Sequence, residues 1–228
     1  MSPPDAILLF AAGFGTRMGL LTADRPKPLI EVAGRPLLDH ALAIADRVPR
    51  KVVNAHYRAD QIVAHLADRP DVAVAVERPD ILDTAGGLRA ALPLLDADPV
   101  CTLNTDAVWT GPNPIATLAA AWDPARMDAL LLLVPRDRAY GHSGPGDFLR
   151  DPSGRLARGP GDVYTGAQII RTGAVAGLAA GPRSLNPVWD EIAGRGRLHG
   201  VRHPGAWCDV GHPAGIATAE ALLSGAPA

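Results

Sequence analysis

Short runs of uninterrupted apolar residues alternate along this chain with stretches whose apolar positions recur every three to four residues. The runs AILLFAA (6–12), KVVNAH (51–56), VAVAV (72–76), PVCTLN (99–104) and ALLLLVP (129–135) read as strands. Helical spacing lies between them, near 36–47, 59–68, 85–95 and 114–122. Strand, helix, strand in this order is the βαβ signature of a parallel sheet, and near-continuous apolar strands imply a sheet covered by helices on both faces. Residues 141–162, GHSGPGDFLRDPSGRLARGPGD, change texture to Gly, Pro, Asp and Arg and predict exposed hairpins and loops rather than a linker. A strand at 163–171, helices near 174–180 and 186–194 and a closing helix near 213–223 follow. The expected fold class is α/β: one domain over 1–228, three layers α/β/α around a mostly parallel, Rossmann-like sheet. A loop- and hairpin-rich region is expected at about 141–205. No internal repeat is present, and no hexapeptide pattern of a C-terminal β-helix domain follows the last helix.

Composition narrows the function classes. The chain has 228 residues, 47% of them hydrophobic, enough for one substantial core. A formal net charge of −2 argues against a nucleic-acid binder held by its overall field, while leaving room for a local basic pocket. Cys101 and Cys208 make no disulfide framework and no paired metal-ligand spacing, which suits a reducing cytoplasm. MSPPD at the N-terminus lacks the basic-then-apolar form of a secretory signal, and no stretch has bilayer-spanning length, so no membrane partner is expected. The seven histidines show no zinc-site spacing.

The candidate chemistry begins where the first strand ends, in AAGFGTRM (11–18). A P-loop needs a Lys-Ser/Thr pair after widely spaced glycines, and a Rossmann fingerprint counted from Gly13 would place its third glycine at Met18; both fail. A glycine-rich loop at the carboxyl edge of a parallel sheet remains. Gly13 and Gly15 let backbone N–H groups approach an anion, and Arg17 adds a forked donor suited to phosphate oxygens. In RPKPL (25–29) the prolines predict an extended backbone presenting Lys27. Lys27 and Lys51 are the only lysines beside 20 arginines, so a lysine here stands out.

With AAGFGTRM, GLLT (19–22), PKPL, VAGRPLL (32–38), TAGGLRAALPLL (84–95), LNTDAVW (103–109), GDF (146–148), YTGAQII (164–170) and WCDVGHPAGIATAE (207–220), the chain resembles the sugar nucleotidyltransferases along nearly its whole length. Within them it is most similar to the short N-acetylmuramate-1-phosphate uridylyltransferases, often grouped with mannose-1-phosphate guanylyltransferases. The resemblance implies a reaction in which a sugar 1-phosphate attacks the α-phosphorus of a nucleoside triphosphate and releases pyrophosphate. UTP and N-acetylmuramate 1-phosphate, in cell-wall recycling, are the first expectation; a GTP-using mannose-1-phosphate enzyme and a non-catalytic nucleotide-sugar-binding protein are the alternatives. The nucleophile is already an anion, so no general base is required, and cations and fixed N–H dipoles carry the work. Arg17 and Lys27 are the expected catalytic cations. Ala11, Ala12, Gly13, Gly15, Thr16, Thr84, Gly86 and Gly87 are the expected nucleotide contacts, with Asp83 or Thr84 also able to cap the helix that follows. Asp106 and Asp209 match the family's two Mg²⁺-binding positions. Asp147, Gly166, Asn186 and Trp189 are assigned to the sugar, Trp189 as a stacking wall or as core. The chain departs from many relatives at Leu20, where they have Pro, and at Thr105, where they have Gly. It also has GPGDV where larger members place a Glu-Lys pair that grips the sugar phosphate, leaving Arg158 or another arginine for that role. Base, sugar and oligomeric state stay open at this level.

Overall fold

In a computed structural model, residues 4–225 are described; residues 1–3 and 226–228, which the expected 1–228 domain includes, lie outside them. The chain runs through β1 (Ala6–Phe10), β2 (Glu31–Val32), β3 (Arg35–Pro36), α1 (Leu37–Ile44), β4 (Arg50–Ala55), α2 (Ala59–His65), β5 (Val72–Val76), α3 (Asp83–Leu95), β6 (Val100–Asn104) and β7 (Ala107–Trp109). It continues with α4 (Pro114–Ala121), β8 (Ala129–Val134), β9 (Ala139–Tyr140), β10 (Phe148–Arg150), β11 (Leu156–Arg158), β12 (Val163–Ile170), α5 (Gly173–Ala176), α6 (Asn186–Gly194), β13 (Leu198–Arg202), β14 (Trp207–Asp209) and α7 (Ala214–Ser224).

Seven strands form the central sheet in the order β13-β8-β12-β6-β1-β4-β5. Only β12 runs against its neighbours, β6 and β8; the other pairings are parallel. The continuous apolar runs have the expected cause. In β1, Ile7 and Leu9 enter a core with α1, α2 and α4, while Ala6 and Leu8 enter a second core with α3 and α6. β8 divides in the same way, Leu130 and Leu132 on one side and Leu131 and Leu133 on the other. Each fully buried leucine is worth roughly 1.5–3 kcal/mol, so the pattern that predicts the layers also holds them together. The architecture is the expected single-domain α/β/α one.

Several local expectations change. Residues 174–180 give only the four-residue α5, because Gly177, Gly181 and Pro182 interrupt helix formation. β7 and β14 pair antiparallel and carry β9 alongside, making a small separate sheet. The closing helix α7 covers that small sheet, through a third core that includes Met18, Val108, Cys208, Val210 and Ala219. The hairpin predicted in 141–162 is β10–β11.

The chain winds outward from β1 through β4 to β5, then returns to β6 on the other side of β1. Ligands of open α/β sheets bind beyond the strand carboxyl ends at such a reversal. Phe10–Gly13 and Asn104–Asp106, the ends of β1 and β6, meet there.

Candidate active site

A cavity of about 320 Å³ opens at this reversal, lined by Ala11, Ala12, Gly13, Gly15, Thr16, Arg17, Lys27, Thr84 and Asp106 among the residues expected from sequence. Gly15 has φ +66 and begins a 3₁₀ segment, Thr16–Thr22, that carries Arg17 and turns again at Gly19. A Cβ on Gly15 would lie 2.9 Å from the Cβ of Lys27, so glycine here lets the two loops touch. A Cβ on Gly13 would meet nothing, which leaves open space beside its backbone. Lys27 is not in extended backbone as its prolines suggest. Pro26 is extended, but Lys27–Leu29 forms a 3₁₀ turn closed by the Ile30 N–H donating to the Lys27 carbonyl at 3.0 Å.

The Lys27 Nζ donates to Asp106 Oδ2 at 2.8 Å, with the lysine side chain 10% exposed. Asp106 and Asp209 are held on neighbouring segments: β14 pairs Asp209 with Ala107, and the Val210 N–H donates to the Asp106 carbonyl at 2.9 Å. Burial raises the Asp209 carboxyl above its usual range, and the charge of Asp106 raises it further; Lys27, Arg17 and His212 pull the other way. The Asp106 charge thus reaches Asp209, with Lys27 and Arg17 close enough to offset it. That donor set, two hard carboxylates on adjoining segments, fits a hard dication whose remaining ligands are phosphates and water. Among the described residues no group of three or more His, Cys, Asp or Glu side chains gathers for a metal, so the pair fits a metal shared with substrate rather than a closed cage. A Cβ on Gly211 would fall 2.5 Å from Asp209 Oδ2 and 3.0 Å from Arg17 Nη1, so this glycine lets Arg17 and Asp209 converge. Burial pushes the neighbouring Cys208 thiol up to about 11, as suits a packed residue.

Asn54 and Glu77 line the same cavity and are absent from the residues expected from sequence. Asn54 Oδ1 accepts from the Ala11 N–H at 2.8 Å, its Nδ2 donates to Glu77 Oε1 at 2.7 Å, and Glu77 Oε2 accepts from the Leu82 N–H at 2.7 Å. The Ala11 N–H is thus engaged within the protein. The available signal was a polar residue at the carboxyl end of an apolar strand: Asn54 in KVVNA and Glu77 after VAVAV.

Gly86 and Gly87 do not line the cavity. A Cβ on Gly86 would lie 2.5 Å from the Gly181 carbonyl oxygen, and one on Gly87 would lie 2.7 Å from Glu77 Oε1. Their bareness serves the packing of α3. No side chain caps α3 either: Asp83, at φ +57, accepts from the Thr84 N–H, and Thr84 Oγ1 accepts from the Leu185 N–H at 2.9 Å.

A second recess of about 390 Å³ shares Asp83 and Thr84 with the first. It collects Asp147, Asn186 and Trp189, together with Arg158. Asp147 Oδ2 accepts from the Tyr164 N–H at 2.8 Å. Trp189 is both wall and core: it is 7% exposed, and its Nε1 donates to Gln168 Oε1 at 2.9 Å. Gly166 does not line this recess. It sits at φ +81 in an irregular stretch of β12, where a Cβ would lie 2.6–2.7 Å from the Asn104 side chain.

A family model described as the MobA-like NTP transferase domain matches residues 7–218. The chain belongs to that family. It is 40% identical, over 97% of its length and 98% of the relative's, to an N-acetylmuramate alpha-1-phosphate uridylyltransferase of Caulobacter vibrioides. It is 34% identical, over 94% of its length and 96% of the relative's, to the protein of that name in Neisseria meningitidis serogroup B. Its fold is similar to the inositol-1-phosphate CTP transferase of T. maritima, with a TM-score of 0.75, 15% identity and 98% coverage of both chains. As a MobA-like NTP transferase with these relatives, the chain is an enzyme of the sugar-1-phosphate nucleotidyltransferase class. Among the described residues no helix is long and apolar enough to cross a membrane.

Proposed function

We propose that the chain transfers a uridylyl group from UTP to N-acetylmuramate 1-phosphate. The observation that carries the reading is a cavity lined by Gly13, Gly15, Thr16, Arg17, Lys27 and Asp106, with Asp209 held on the strand paired beside Asp106, in a chain 40% identical over nearly its whole length to a protein named for that reaction. The sugar phosphate oxygen bonds to the α-phosphorus of UTP, the bond to the β-phosphate bridging oxygen breaks, and pyrophosphate leaves with its electron pair. No proton has to be removed from the nucleophile. Backbone N–H groups of the Gly13–Thr16 loop face the triphosphate, Arg17 and Lys27 stabilise charge on the transferring and leaving phosphates, and the wall from Ala11 to Gly13 with Thr84 takes the base. Asp106 and Asp209 would hold Mg²⁺, which when bound neutralises phosphate charge. The hairpin-rich region at about 141–205 supplies the sugar side through Asp147, Asn186 and Trp189, and Gly166 acts at one remove by seating Asn104. A cytoplasmic site of action in cell-wall recycling accords with two buried, unpaired thiols.

The test is pyrophosphate release from a panel of four nucleoside triphosphates and several sugar 1-phosphates, in Mg²⁺. UTP with N-acetylmuramate 1-phosphate should give the highest kcat/KM by at least about tenfold, roughly 1.4 kcal/mol of preference. Highest turnover of GTP with mannose 1-phosphate would replace this reading with the guanylyltransferase one.

A further inference from the structure

Among the described residues Arg158, at the end of β11, is the one arginine or lysine lining the second recess. Its guanidinium lies 4.7 Å from the Phe148 ring centroid and 5.5 Å from that of Trp189. Its Nε donates to Asp190 Oδ1 at 2.9 Å, and its Nη2 donates to Asn186 Oδ1 at 2.8 Å. Among the described residues Nη1 has no partner. Two aromatic faces and two hydrogen-bonded nitrogens thus fix the plane of the guanidinium and leave one edge for a ligand. In the same recess His142 Nε2 is a buried ring nitrogen without a partner. Lys27 and Arg17 line the first cavity and not this one, so cations suited to phosphate oxygens are gathered there rather than in the second recess.

A hexosamine presents hydroxyls and an amide, which Asp147, Asp83, Ser184 and Asn186 can match without a fixed cation. A preoriented arginine matches an oxyanion instead. We propose that Arg158 reads a carboxylate carried by the sugar, and so sets preference for an acidic hexosamine 1-phosphate over its neutral parent. The proposal rests on the reading that the second recess takes the sugar, and it gives that recess a substrate class. N-Acetylmuramate is N-acetylglucosamine with a lactyl ether, so the two 1-phosphates differ by one carboxylate-bearing arm and form a matched pair of probes.

The experiment measures kcat/KM of the full chain for both 1-phosphates, with whichever triphosphate it turns over, in wild type, Arg158→Gln and Arg158→Lys. Wild type should favour the acidic sugar. Arg158→Gln should lower the acidic-to-neutral ratio by about 30- to 300-fold, chiefly through KM for the acidic sugar, the scale of truncating one partner of a charged pair. Arg158→Lys should retain part of the ratio, since it keeps charge but loses the planar fork. General damage to the fold, or a grip on the 1-phosphate, would depress both substrates alike. A ratio in Arg158→Gln within about threefold of wild type therefore overturns the proposal, whether both rates fall or neither does. Wild type preferring the neutral sugar overturns the substrate reading itself, before any variant is made.

Discussion

Lys27 and Gly15 meet across two loops that line the same cavity, and the contact limits where the Lys27 ammonium can point. A side chain on Gly15 would start 2.9 Å from the Lys27 Cβ, so the lysine is aimed at Asp106 by a backbone with little freedom to adapt. Charge-conserving swaps test whether position or charge matters. Lys27→Arg puts a broad fork into a space shaped for an ammonium, and Arg17→Lys makes the reverse exchange beside Gly211. Each should lower kcat by about 10- to 1,000-fold, the scale of losing one oriented donor, while KM for the triphosphate rises less. Wild-type kcat in both variants would reduce these residues to general positive potential. The carboxylates call for a different variant. Asp106→Asn and Asp209→Asn keep an oxygen but lose the charge that holds a hard dication, so pyrophosphate release in Mg²⁺ should fall by at least about 100-fold in each. Unchanged release in both would remove the metal assignment.

At the scale of elements, the start of α2 holds the phosphate loop from behind. Tyr57 Oη donates to the Thr22 carbonyl and Gln61 Nε2 to the Asp24 carbonyl, both at 2.8 Å, while the Arg58 guanidinium donates to the Ala23 carbonyl. Phe14 packs edge-on against His56, with ring centroids 5.4 Å apart. Three consecutive carbonyls downstream of Arg17 are thus tied to the turn that leads into α2 and to its first turn. Removing a donor with Tyr57→Phe or Gln61→Ala forfeits a net of about 0.5–1.5 kcal/mol, a melting shift of only a few degrees in a chain this long. The paired variant should nevertheless raise KM for the triphosphate several-fold, and kinetics equal to wild type would show that the loop holds its shape without the clamp. These contacts could not be read from sequence, because Tyr57, Arg58 and Gln61 meet the loop only once β4 lies beside β1. The elements themselves were more legible. Each long parallel strand but one announces itself as an apolar run. β13, LHGVR, mixes His, Gly and Arg into an edge strand, and β7 and β14 are three residues long, too short for any period to show. The motif residues Ala11–Gly13, Gly15–Arg17, Lys27, Thr84 and Asp106 line the first cavity, as their motif implies. Gly86, Gly87 and Gly166 carry the same motif but face protein atoms, a distinction sequence spacing does not contain.

Across the whole molecule, one reversal of winding direction gathers the ends of β1, β4 and β6 at a single edge, and the β7–β14–β9 sheet closes it with Asp209. Two buried histidines lie in and just after the outer strand β13. His203 Nε2 donates to the Thr110 carbonyl at 2.8 Å, which makes Nδ1 the unprotonated nitrogen, and Nδ1 is buried without a partner. His199, in β13, is 1% exposed and lies beside Arg155 across an antiparallel bridge. Burial holds both imidazoles below the usual 6.5, so each resists protonation in the folded state while the unfolded chain takes up protons freely. The unfolded state therefore binds more protons as pH falls through 6.5, and stability falls with it. Above that pH both rings are neutral in either state and contribute no slope. Asp71, held low by its hydrogen bond from Arg69, acts with the same sign only below about 4, in a separate window. The melting temperature should accordingly be flat from pH 8 to 7 and decline between about 6.5 and 5. His203→Asn removes the titration and can still offer an amide N–H to Thr110. Paired with His199→Leu, it should flatten the decline between 6.5 and 5 and leave the drop below pH 4 in place. An unchanged slope in the double variant would assign the acid sensitivity to carboxylates rather than to the two buried rings.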